Sequence, residues 1–232
     1  MAADRSMPDE GPRQRASLGE AVRVGVSGFV SEIATFLLAN GLWALLAGGI
    51  AYAALRLPVA LLLAPLLAPL TCGLARVATE TARDRVVSPR TFVAGVVERF
   101  WTKLGLGAVQ ALILVVALAD ILLAPAIGGL PAIASTVLAV YVAISSLAYG
   151  LVFWTLLADR DLRGLPVRQV ARLALAVVLR RPAPVAFLFV YAVLAAGVAV
   201  PFVVAVLFLP SVVLLTVAAY VIPASEEIRA GR

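Results

Sequence analysis

The sequence predicts an all-α, polytopic membrane protein: six transmembrane helices arranged as three hairpins, with short amphipathic interfacial helices on the cytoplasmic side. Three observations predict it. Of 232 residues, 63% are hydrophobic and only 14% are charged, too little polar material to cover a soluble domain. The charges are confined to short segments that alternate with apolar stretches of spanning length. With six spans, every basic residue except Arg56 falls on one face of the membrane.

The elements follow in chain order. Residues 1–16 are polar and unpatterned and read as a disordered cytoplasmic tail. Residues 17–225 form the membrane domain. Its first segment is amphipathic, with Leu18, Val22, Val26 and Phe29 opposite Glu20, Arg23, Ser27 and Ser31. No charge lies between Glu32 and Arg56, which gives a span at 33–55. None lies between Arg56 and Arg76, which gives a second at 57–78. Pro65 and Pro69 fall inside that span, where each frees a backbone carbonyl and bends the helix. Such breaks occur in transport pathways and in inert packed helices alike. The small-residue trio Ala51-Tyr52-Ala53 follows a long polar lead and a long apolar run, so signal cleavage is not expected there.

Ser88-Pro89 supplies an N-cap and a first-turn proline for a second amphipathic segment. Phe92, Val93, Val96, Val97, Phe100 and Trp101 form its apolar side. Between Lys103 and Asp159 only Asp120 is charged, so spans are expected at 104–124 and 132–157, with a turn at Gly128, Gly129 and Pro131. Gly164-Leu165-Pro166 opens a third amphipathic segment, with Val167, Val170, Ala174, Val177 and Val178 opposite Arg168, Gln169, Arg172 and Arg181. The uncharged run from Arg181 to Glu226 holds spans at 183–200 and 204–223, turning near Pro201, with Pro210 as a competing break. Residues 226–232 are a short polar cytoplasmic exit. The three amphipathic segments begin near 18, 89 and 166, a spacing that suggests three related units.

The one-sided basic charge places both termini in the cytoplasm. Arginine outnumbers lysine 18 to 1, a codon signature of GC-rich bacterial genomes, and the expected location is a bacterial cytoplasmic (inner) membrane. Arg99, Lys103, Arg168, Arg172, Arg180 and Arg181 are expected to contact anionic lipid head groups or a partner. Acidic residues run through the same segments without interleaved aromatics, which argues against nucleic acid.

The candidate intramembrane residues are Asn40, Trp43, Gln110 and Asp120, since polar groups inside spans are costly. Asn40 and Gln110 either join helices by hydrogen bonds or touch a substrate. Trp43, mid-span, either packs between helices or lines a cavity, whereas Trp101 and Trp154 are expected at the interfaces. Asp120 either carries a cation or proton or reaches the head groups. Catalytic material is scarce. Histidine is absent, which excludes His-ligated zinc, a histidine base and a Ser-His triad. Cys72, the sole cysteine, reads as a buried small residue. No phosphate-binding glycine loop is present. No cofactor and no enzymatic activity are expected.

Asn40-Gly41-Leu42-Trp43 resembles the Asn-Leu-x-Trp-like signature of the YesL family of bacterial integral membrane proteins, with Gly41 inserted. Pro69-Leu70-Thr71-Cys72-Gly73, followed by Leu74-Ala75, resembles that family's Pro-x-Thr-x-Gly-like element. Phe92 with Phe100-Trp101 resembles its aromatic-rich cytoplasmic helix, and Asp120-Ile121 resembles the acidic residue ending its third span. The resemblance covers roughly residues 30–123; beyond them it is one of architecture. It implies an association with carbohydrate uptake and no established chemistry. The leading expectation is therefore a non-enzymatic accessory or scaffold protein linked to solute-uptake components. The alternative is a permease or channel with a path lined by the kinked second span and Asp120.

Overall fold

A computed structural model describes residues 17–199 and 202–231. The expected disordered tail and the expected turn at Pro201 lie outside the described residues. Within them every regular element is helical: α1 (Leu18–Ser31), α2 (Ile33–Arg56), α3 (Leu67–Ala82), α4 (Pro89–Val97), α5 (Phe100–Ile127), α6 (Gly129–Ala158), α7 (Val167–Arg180), α8 (Pro182–Ala199) and α9 (Leu209–Arg229). Short 3-10 segments at Pro58–Leu66 and Val203–Leu207 lead into α3 and α9.

Five helical stretches are long and apolar enough to cross a membrane: Ile33–Arg56, Val59–Ala82, Phe100–Ala126, Gly129–Ala158 and Ala205–Arg229. A sixth arises if α7 and α8, bent by 100° at Arg181, count as one span. Their outer surfaces are aliphatic; α5 alone exposes Leu112, Val116, Leu122 and Leu123. Exposed apolar surface of this extent marks contact with lipid or another apolar partner.

Local chemistry explains the helix ends. The Ser17 hydroxyl caps α1 by accepting from the Glu20 amide at 3.2 Å. Ser88 and Thr91 form a reciprocal capping box ahead of α4, with Pro89 in its first turn. Gly128 and Gly129 both take φ of 70°, a conformation that favours glycine, and so join α5 directly to α6. The expected span at 57–78 is present as Val59–Ala82, but its first part is not α-helical: the chain runs as a 3-10 helix from Pro58 to Leu66, with Pro65 inside it lacking the amide an α-helix would use. The last helix runs through Glu226 and Glu227 to Arg229, and both carboxylates have arginine partners, Arg83 and Arg181.

The packing is cyclic. Helices α3, α6 and α9 all touch one another and form the centre. Helix α5 also packs on α3, α8 on α6, and α2 on α9. The short helices follow the same rule: α4 rests on α3, α7 on α6, and α1 on α9. Small residues permit these crossings. Gly25 of α1 faces Thr216 so closely that a Cβ would collide with the hydroxyl. At Gly95 of α4 a Cβ would lie 2.7 Å from Arg76 Cβ and 2.9 Å from Gly73 Cα.

The buried faces of α1 and α4 differ in part from those expected, while α7 buries the expected face at Val170, Ala174 and Val177. In α1 the buried line is Ala21, Gly25 and Phe29, while Val26 is exposed. In α4 Phe92 and Gly95 are buried, while Val93 and Val97 point outward. In α7 Val170, Leu173, Ala174 and Val177 are buried and Leu175 and Leu179 are exposed. Each helix is thus apolar on two sides, one against the bundle and one free.

Candidate functional site

Polar groups fall into two layers. The first lies within the apolar length of the helices and contains the four candidate residues. Asn40 is completely buried. Its amide donates to the Leu207 carbonyl at 2.7 Å, and its oxygen accepts from the Ser211 hydroxyl at 2.9 Å. The side chain thereby satisfies the backbone where the 3-10 segment gives way to α9, a place that leaves carbonyls without helical donors. Trp43 Nε1 donates to the Thr71 hydroxyl at 3.1 Å, and that hydroxyl donates to the Leu67 carbonyl at 2.8 Å. The indole therefore ties α2 to the first turn of α3, just past the proline break.

Gln110 joins α5 to α6. Its oxygen accepts from Trp154 Nε1 at 2.6 Å, and its amide donates to the Ser146 carbonyl at 3.4 Å. Gly150 makes room for it, since a Cβ there would strike the Gln110 amide. Trp154, expected at an interface, is 7% exposed and committed to this bond, whereas Trp101 is 79% exposed. Asp120 is half-buried, with Ser135 Oγ 2.5 and 2.6 Å from its two oxygens. All four residues link one helix to another.

The second layer is a charged network where the C-terminal ends of α3, α6 and α9 meet. Arg76 donates to the Ala158 carbonyl at 3.0 Å and pairs with Glu80 at 3.3 Å and Glu98 at 3.7 Å. Arg83 contacts Asp159 at 2.8 Å, Asp161 at 3.2 Å and Glu226 at 2.9 Å. One guanidinium thus holds α3 to the segment after α6 and to α9. Burial works against its charge, but hydrogen bonding to Asp159 and the fields of Asp159, Glu226 and Asp161 outweigh this, so Arg83 holds its proton more firmly than an ordinary arginine. Arg85 pairs with Glu80 at 3.2 Å and Asp161 at 3.0 Å.

The six basic residues expected at head groups separate. Arg168, Arg172 and Arg180 are exposed on α7. Arg181 is half-buried at the α7–α8 bend and pairs with Glu227. Arg99 takes φ of 52° at the α4–α5 turn and donates to the carbonyls of Arg163 at 2.5 Å and Leu165 at 3.3 Å, a structural clasp. Lys103 departs furthest from expectation. It is 4% exposed and donates to the Gly95 carbonyl of α4, which withdraws it from any head group.

Sequence reasoning did not single out Arg76, Glu80, Arg83, Glu98, Asp159 or Glu226. The Arg76–Glu80 spacing of one helical turn was a usable signal; the long-range partners were not. No cluster of potential metal ligands occurs among the described residues. No family model, curated protein or solved structure matches the chain.

Proposed function

We propose that the chain is a non-enzymatic scaffold or accessory protein of a bacterial inner membrane, spanning it six times as three hairpins with both termini in the cytoplasm. The observation that carries this reading is the use made of the intramembrane polar groups. Asn40, Trp43, Gln110 and Asp120 all bond across helix contacts. A solute path needs polar groups turned toward cargo, whereas each of these side chains places a hydrogen bond between helices.

Three further features support the topology. The cyclic packing suits three successive units, each an amphipathic helix followed by two spans, with the first unit closing on the last. The charged network and the basic residues gather at one end, as the positive-inside rule requires of a cytoplasmic face. The outward pairs Val26/Val30, Val93/Val97 and Leu175/Leu179 suit helices lying in the plane of that interface against anionic lipid. The resemblance to the YesL family supplies the link to carbohydrate uptake, with solute-uptake components as partners.

The test is reconstitution of the purified protein alone into liposomes, with flux of labelled sugars and small ions measured against protein-free vesicles. This reading expects no flux above the empty vesicles, and co-purification with uptake components from native membranes. Saturable flux by the protein alone refutes it and establishes a permease.

A further inference from the structure

One groove at the charged end carries more positive charge than its neighbours neutralise. It has a volume of about 560 Å³ and is lined by Arg76, Arg90, Arg160 and Arg163 together with Glu80 and Glu98. The two carboxylates are already shared. Glu98 pairs with Arg163 at 2.7 Å and Arg76 at 3.7 Å. Glu80 divides between Arg76 at 3.3 Å and Arg85, outside the groove, at 3.2 Å. Arg90 and Arg160 are exposed and have no carboxylate partner among the described residues. A separate space of about 10 Å³ has Arg76, Glu98 and Arg163 in common with the groove and is also lined by Lys103. An ammonium has three donors, and the Lys103 side chain places one hydrogen bond, on Gly95.

Arginine forks recognise phosphate oxygens in pairs, and a phosphate monoester carries a charge of about −1.5 to −2 near neutral pH. That charge matches the groove's excess of four arginines over two glutamates. Val86 and Val97 line the same groove, and Val93 and Trp101 lie exposed on and just beyond the helix that forms its wall. Aromatic stacking surfaces for bases are missing from the lining. We propose that this groove binds a phosphate monoester group, carried either by a phospholipid head group or by a soluble phosphate. Arg90 and Arg160 supply the uncommitted guanidinium forks, and the paired Arg76 and Arg163 line the groove beside them. The lipid source rests on the membrane placement proposed above; the phosphate chemistry does not.

The experiment measures binding of three probes to the full-length protein in detergent: short-chain phosphatidic acid, short-chain phosphatidylglycerol and inorganic phosphate. The double variant Arg90→Gln/Arg160→Gln is compared with Arg56→Gln/Arg229→Gln, which removes the same charge from exposed positions outside the groove. Both pairs are exposed, so unchanged melting temperatures verify folding. The expected result is phosphatidic acid binding that exceeds phosphatidylglycerol by about tenfold, and about a tenfold loss confined to the groove variant. Tight binding of inorganic phosphate that displaces phosphatidic acid assigns a soluble source, and binding of the lipid alone assigns a membrane source. Equal losses in the two variants, equal affinity for the diester lipid, or no binding of any probe overturns the proposal. None of these results bears on liposome flux, so the scaffold reading stands or falls separately.

Discussion

Replacing Asn40 by leucine tests whether the intramembrane polar layer holds the bundle or serves a cargo. The side chain is completely buried, and leucine is close to it in volume, so cavity effects are small. Two hydrogen bonds vanish, to Leu207 and from Ser211. Bonds between helices in membranes contribute about 0.6 kcal/mol each on average, with a maximum near 1.7. The Leu207 carbonyl and the Ser211 hydroxyl are also left in an apolar site, a penalty of about 1–3 kcal/mol for a buried group without a partner. Partial rescue of the hydroxyl by the preceding turn of α9 reduces that penalty, and the sum is a destabilisation of about 2 kcal/mol. Ser211→Ala alone is expected to cost about 1 kcal/mol, and the double variant less than the sum of the two, because the shared bond is lost only once. The assay is reversible unfolding in mixed micelles with increasing denaturing detergent. An Asn40→Leu protein of unchanged stability refutes the structural role and returns Asn40 to the candidates for cargo contact.

Further outcomes follow from the same contacts. Gly95→Val places side-chain atoms against Gly73 Cα and Arg76 Cβ, where backbone rather than a flexible tip must yield; a loss of about 1–3 kcal/mol is expected in the same assay. Arg83→Met removes the shared partner of Asp159 and Glu226. It is expected to accelerate amide exchange at the C-terminal turn of α9 and to lower the melting temperature, whereas Arg168→Met on the exposed face of α7 leaves both unchanged. Trp154→Phe strands the Gln110 oxygen and is expected to destabilise by about 1–2 kcal/mol; an effect no larger than that of Trp101→Phe, whose ring is exposed, contradicts the bond.

Most of the helical framework was legible because its signals are local. Uncharged runs set the long helices, and Ser88-Pro89 and Gly128-Gly129 mark boundaries within a residue or two of those observed. The 3-10 path before α3 was less so: prolines announce a disturbance but not how long the chain takes to recover α-helical bonding. Face assignment failed in α1 for a physical reason. Apolarity selects Val22 and Val26, but the close crossing with α9 selects Ala21 and Gly25, because small side chains allow backbone approach. The charged network was illegible because its bonds join residues far apart in sequence, such as Arg83 with Asp159 and Glu226. Lys103 shows the same limit. Its charge reads as a membrane-surface residue, and only its tertiary bond to the Gly95 carbonyl of α4 shows it buried.

Six spans in three hairpins is the central claim, and site-directed labelling tests it most directly. Cys72 is the sole cysteine and is buried, so Cys72→Ser gives a clean background. Single cysteines are introduced at Arg56, Leu130 and Phe202, and separately at Val86 and Arg168, all exposed positions. Intact cells are then treated with a membrane-impermeant maleimide. The account predicts labelling at 56, 130 and 202 from outside, and at 86 and 168 only after the membrane is opened. Labelling of 86 or 168 in intact cells, or protection of 202 alongside labelling of 56 and 130, contradicts it.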